Sequence, residues 1–234
     1  MGQVTAALQT LQKALADFWY QWVVLLLINL VWLLCCATIV LAPPATFGMF
    51  YATNELANGR GIGYPDFFSG IRRYFKLSWL WGVLNLIALF LVWLNIQFYG
   101  RVEQSWSLTL ILLTLMVAVV WLMVQLLTVP YVIEHERKHL GIAMRNALFT
   151  LLATPLYSFL LTLFIGTFIY LALTQAIGVL LGAPIMVTLL SNRAVLNRLE
   201  AFGLRERPAA SPQAEGAFPL YDVKPVDKTH EETA

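Results

Sequence analysis

The sequence predicts an all-α, polytopic integral membrane protein of about five transmembrane helices with amphipathic interfacial helices. Three observations predict it. The chain is 59% hydrophobic and only 12% charged, against roughly 25% charged in soluble domains. Several apolar runs reach the about twenty residues that a helix needs to cross about 30 Å of hydrocarbon. Between the runs lie short segments whose apolar residues recur at helical spacing, as in helices lying along an interface. The adjacent cysteines Cys35 and Cys36 cannot easily close a strain-free bridge and read as small packing residues. No basic patch of the kind that binds nucleic acid stands out, so the expected partner is the lipid bilayer.

Residues 1–19 form an amphipathic N-terminal helix, with Val4, Leu8, Leu11, Leu15 and Phe18 on one face and Gln3, Gln9, Gln12, Lys13 and Asp17 turned away. A cleavable signal peptide is the competing reading, but the apolar run after Trp22 continues to Ala42, longer than a signal core. A five-span membrane domain is expected over residues 20–203, with spans near 22–42, 77–99, 108–131, 149–173 and 176–190. Pro43 and Pro44 end the first span, because proline lacks the N–H that a helix ladder needs. A short helix then runs to Asn58, and Gly59–Gly63 make a turn. That turn is no phosphate loop, since neither Lys-Ser nor Lys-Thr follows it.

From Pro65, Phe67, Phe68, Ile71, Tyr74 and Phe75 share one face, opposite Ser69, Arg72, Arg73 and Lys76. This segment is expected to lie flat on the membrane, with Arg72, Arg73 and Lys76 as its lipid or partner contact. The last run is short and holds Gly178, Gly182 and Pro184, so a re-entrant or tilted element is the alternative there. Residues 204–234, rich in Pro, Ala, Glu and Lys, are expected to form a disordered cytoplasmic tail.

Five crossings would put the termini on opposite sides. One side then carries Lys13 and Arg101, and the other the remaining thirteen of the fifteen basic residues. The positive-inside rule makes the rich side cytoplasmic, so the amino terminus is expected outside and the carboxyl terminus inside.

Chemistry is scarce. His135-Glu136-Arg137-Lys138-His139 satisfies H-E-x-x-H, in which two imidazoles on one helix face hold zinc and the glutamate activates water. Two cations between the candidate ligands oppose a metal. From Leu140 to Leu199 no His, Asp, Glu or Cys supplies a third. No catalytic residue, metal or cofactor is therefore expected. No Asp, Glu, Lys, Arg or His lies inside the five spans, which argues against a carrier working alone. Asn29, Asn85, Asn95, Gln97 and Gln125 read as interhelical hydrogen-bonders. Glu134, Gly141 and Pro155 fall near, but not on, the spacings of an ABC permease coupling loop.

Asn29-Leu30-Val31-Trp32, Pro44-Ala45-Thr46, Leu56-Ala57-Asn58-Gly59 and Asp66-Phe67-Phe68 through Gly70, Arg72 and Phe75 together resemble the YesL-like bacterial membrane proteins, domain of unknown function 624. Pro130-Tyr131-Val132 and Asn146-Ala147-Leu148 look similar too, so the resemblance covers roughly residues 15–195. It implies a bacterial cytoplasmic membrane and, from genes that accompany some members, an accessory role beside carbohydrate ABC importers. It brings no catalytic residue. The expected function is a non-enzymatic accessory or scaffold protein, partnered by an ABC permease or by further copies of itself. The alternatives are a small-molecule permease subunit and, more remotely, a zinc metalloprotease.

Overall fold

A computed structural model describes residues 2–102, 104, 106–135, 138–175 and 182–205. These residues form eight helices and no strand: α1 Gln3–Tyr20, α2 Trp22–Ala37, α3 Ala42–Ala57, α4 Tyr64–Tyr99, α5 Ser107–Glu134, α6 Leu140–Ala153, α7 Pro155–Thr174 and α8 Ala183–Ala201. Among them α4, α5 and α7 are long and apolar enough to cross a bilayer, and a fourth span results if α1 and α2, bent by 90°, count as one. The sequence led to an expectation of about five.

The expected first span, 22–42, is the outgoing arm of a hairpin. The chain turns at Thr38–Leu41 and returns as α3, with the Trp32 indole donating to Thr46 Oγ1 across the pair at 3.2 Å. Both arms end at the same place, because the Ile62 N–H donates to Gln21 Oε1 at 3.1 Å. Residues 22–61 therefore return the chain to the end it left, the loop end.

The hairpin tip is bonded internally. The N–H groups of Thr38, Ile39, Val40 and Ala42 reach the carbonyls of Cys35, Cys36, Thr38 and Ile39. That of Leu41 reaches Thr38 Oγ1 at 3.2 Å. Pro43 and Pro44 have no N–H to satisfy. A backbone paired in this way is tolerated among apolar neighbours, where an orphan N–H is costly.

The amphipathic segment expected to lie flat is instead the first third of α4. This helix has 36 residues and no break, so at 1.5 Å per residue it is about 54 Å long, well beyond one hydrocarbon thickness. Its start is capped by Asp66, whose carboxylate accepts from the Gly63 N–H at 2.8 Å. The face assigned to lipid packs on α3: Phe67 and Tyr74 are buried, whereas Phe68 and Phe75 are exposed. The Tyr74 ring lies 5.9 Å from that of Phe47 and 6.1 Å from that of Tyr51. Further along, Pro43 of the hairpin meets Gly82, near the midpoint of α4. Beyond Gly82 the helix exposes Leu86, Leu89, Phe90 and Trp93, a surface suited to lipid.

The apolar face expected on α1 is largely exposed, and the helix packs through a neighbouring stripe of small and polar residues. Ala6, Ala7, Thr10, Ala14 and Asp17 are buried, while Val4, Leu8, Leu15 and Trp19 are exposed. Small residues let α1 approach α8, and Asp17 closes the contact as an ion pair with Arg193 at 2.5 Å. Gln3, expected to point away, caps α7: its Oε1 accepts the N–H groups of Leu156 and Tyr157 at 3.0 and 3.1 Å. Gln3→Ala is expected to cost about 1 kcal/mol, the usual loss when a helix start loses its side-chain cap. A melting curve in detergent would read it, and an unchanged midpoint would deny the cap any weight.

α8 is interior, with Ile185, Leu189, Leu190, Asn192 and Val195 buried against α1, α3, α5 and α7. It replaces most of the span expected at 176–190, whose first six residues lie outside the described ones. The expected span 149–173 is split at Thr154, where α6 stops and Pro155 opens α7. The tail beyond Arg205 also lies outside the described residues.

Candidate functional site

Asn54 and Asn58 stand one turn apart on α3, so both amides leave the same helix face at the loop end. Glu134, the last residue of α5, meets them: its Oε1 accepts from Asn54 Nδ2 at 2.9 Å and Asn58 Nδ2 at 3.0 Å. Arg205 donates to Asn58 Oδ1 and lies 3.5 Å from Glu134 Oε2. Asn192 extends the network into the core. It donates to the Phe50 carbonyl at 3.0 Å and to Thr53 Oγ1 at 2.9 Å, and accepts from Asn54 at 3.3 Å. A buried amide with each end bonded fixes how α3, α5 and α8 sit together.

Beside this network opens a cavity of about 700 Å³, lined by Tyr51, Asn54, Glu55, Asn58, Arg60, Arg73, Tyr74, Tyr131, Glu134, His135 and Asn146 among others. Its carboxylates are committed, Glu55 to Arg60 and Glu134 to the network. Arg73 and Lys138 both approach the Tyr74 ring, the guanidinium carbon at 5.9 Å from the centroid and the ammonium at 4.8 Å. Burial first, and the Arg73 charge second, hold the Lys138 ammonium below its usual range. One turn back along α3, Phe50 and Phe47 are fully buried in the core.

The basic stripe read from the sequence is divided by this arrangement. Arg73 lines the cavity, while Arg72 and Lys76 remain exposed outside it. His135 also lines the cavity, but it does not share a helix with His139. His135 ends α5 in extended backbone (φ −85°, ψ 136°) and His139 precedes α6 in the same region (φ −115°, ψ 116°). The helical i, i+4 face that a zinc motif requires is therefore not formed. Glu136 and Arg137 lie outside the described residues. The network residues Asn54, Asn58, Asn192 and Arg205 escaped sequence reasoning. The available signal was the four-residue spacing of two asparagines on one short helix.

Of the interhelical bonders expected, Asn85 serves, accepting from Trp121 of α5 at 3.2 Å. Asn95 bonds only its own helix at the Leu91 carbonyl, 2.8 Å away. The Gln125 amide is buried with neither end hydrogen-bonded.

Residues 25–96 match the family model described as Protein of unknown function, DUF624. No curated protein and no solved structure matches the chain. The matched stretch holds nearly all of the α2–α3 hairpin and of α4, and it supplies the α3 and α4 walls of the cavity. Over residues 25–96 this membrane-type helical chain is thus similar to the DUF624 family, in the stretch that holds its Asn-Leu-Val-Trp, Pro-Ala-Thr and Asp-Phe-Phe strings.

Proposed function

We propose that the protein is a non-enzymatic accessory protein of the bacterial cytoplasmic membrane, with its loop end and carboxyl terminus in the cytoplasm, docked to a permease of a carbohydrate ABC importer. One observation supports this reading: the carboxylates of the polar cavity are bonded within the chain, Glu55 to Arg60 and Glu134 to Asn54, Asn58 and Arg205. A polar recess with bonded walls suits recognition better than passage. The unbroken α4 carries Arg72 and Lys76 on its exposed loop-end surface, placed to meet a partner's acidic loop.

Co-purification tests the docking. Wild-type protein is expected to recover a permease component, and the double variant Arg72→Glu, Lys76→Glu to lose it while still inserting. Recovery of no permease, together with unchanged sugar uptake in a deletion strain, would end the proposal. A reporter fused after Ala234 is expected on the cytoplasmic side.

A second reading, a permease subunit, is favoured by Gln125, an amide buried without hydrogen bonds in membrane-length α5. Solute flux through proteoliposomes holding this protein alone would select it.

A further inference from the structure

The polar groups of the cavity divide into two sets. Glu134, Asn54, Asn58 and Arg205 are spent on one another, and Glu55 on Arg60. Such groups build a wall, because moving any one would orphan another. The second set is uncommitted. Among the described residues Arg73 and Lys138 have no ion pair, and the Tyr51 hydroxyl and the Asn146 side-chain amide have no hydrogen bond. Tyr51, Arg73, Tyr74 and Asn146 line the cavity, and the Lys138 ammonium lies 4.8 Å from the centroid of the Tyr74 ring, which the Arg73 guanidinium also approaches.

This second set has a definite chemistry. Two cations near one aromatic ring, with Glu55 and Glu134 paired to Arg60 and Arg205, leave a charge of two without an ion pair among the described residues. A phosphate monoester carries a charge of about −1.5 to −2 near neutral pH and offers three strong acceptor oxygens. A guanidinium and an ammonium together supply both the bidentate and the point-charge contact that such a group accepts. A phenol and a primary amide each donate and accept, which is what hydroxyl groups require. Burial first, and the Arg73 charge second, lower the proton affinity of Lys138, and a bound anion would offset the second of these.

We propose that the cavity binds a phosphorylated polyol, its phosphate seated between Arg73 and Lys138 and its hydroxyls on Tyr51 and Asn146. The site stands independently of permease docking, which uses Arg72 and Lys76. One ligand chemistry has two sources, a water-soluble sugar phosphate or the headgroup of an inositol phospholipid.

The test uses the full chain in phosphatidylcholine nanodiscs, titrated calorimetrically with glucose 6-phosphate, glucose and inorganic phosphate. A parallel set of nanodiscs contains phosphatidylinositol 4-phosphate, with competition by inositol 1-phosphate. Glucose 6-phosphate is expected to bind with a Kd below about 1 mM, and glucose at least about tenfold more weakly, since it lacks the charge-assisted contacts. Arg73→Gln with Lys138→Gln is expected to abolish that difference. Both residues are exposed, so the melting temperature should hold. Tyr51→Phe, which removes one oxygen, should weaken the sugar phosphate while leaving inorganic phosphate unchanged. Stronger binding of the phosphoinositide than of the free sugar phosphate, lost in the same double variant, would assign the lipid source. Failure of both phosphorylated probes to bind, or binding indifferent to the double variant, overturns the proposal whatever the docking experiment gives.

Discussion

Gly70→Val is expected to prevent α3 and α4 from packing, with a loss of about 3 kcal/mol or more. The two helices cross at glycines. A Cβ on Gly70 would lie 2.6 Å from the Tyr51 Cβ and 3.0 Å from the Gly48 Cα, and one on Gly48 would lie 2.7 Å from the Phe67 carbonyl oxygen. Neither obstacle is the far end of a flexible chain, so the backbones must separate. Separation would strip contacts from Phe47, Phe67 and Tyr74 and pull Asn54 from Glu134, widening the cavity at the same time. Alanine at Gly70 gains about 1 kcal/mol of helix propensity but meets the same clash, so a smaller net loss is expected. Gly166→Ala is the control, because a Cβ there meets nothing within 4 Å. Thermal denaturation in detergent reads all three. A Gly70→Val protein melting with the wild type would mean that the crossing is looser than drawn.

Asp17→Ala is the second large effect, expected near 3–5 kcal/mol, the usual cost of stripping the partner from a buried charge. Asp17 is 0% exposed and the Arg193 side chain 14%, so water cannot take the carboxylate's place. The paired change Asp17→Leu, Arg193→Met should restore most of the loss, since an apolar pair of similar volume often serves as well as a buried ion pair. The Glu55–Arg60 pair, whose arginine side chain is 67% exposed, gives the contrast: Glu55→Gln should cost under about 1 kcal/mol. Equal losses at the two sites would contradict the burial argument.

Composition and apolar run length were enough to read the all-helical membrane class, and Pro43, Pro44 and Gly59 marked real helix boundaries. What periodicity could not supply was the direction of each face. On α1 the apolar residues Val4, Leu8 and Leu15 were read as the face of an interfacial helix, and they are exposed, but the stripe that packs on protein went unread. The packing stripe is Ala7, Thr10, Ala14 and Asp17, since lipid rewards close approach of backbones rather than burial of leucine. The flat helix at 65–76 failed for a related reason. Its basic stripe was legible, but whether its apolar face met lipid or protein depended on α3, a neighbour that periodicity does not reveal. The cavity was least legible, because Asn54, Glu134, Asn192 and Arg205 come from four separate parts of the chain and none has a motif.

The bonded tip of the α2–α3 hairpin bears on biogenesis. A hairpin that turns beside the midpoint of α4, with the N–H groups of its tip bonded internally, leaves none of them for a later segment to satisfy. Its lasting seat is the glycine-lined side of α4, which leaves the ribosome later. What residues 64–82 add to the hairpin is therefore side-chain packing, at Gly70 and Gly82, and not backbone hydrogen bonds.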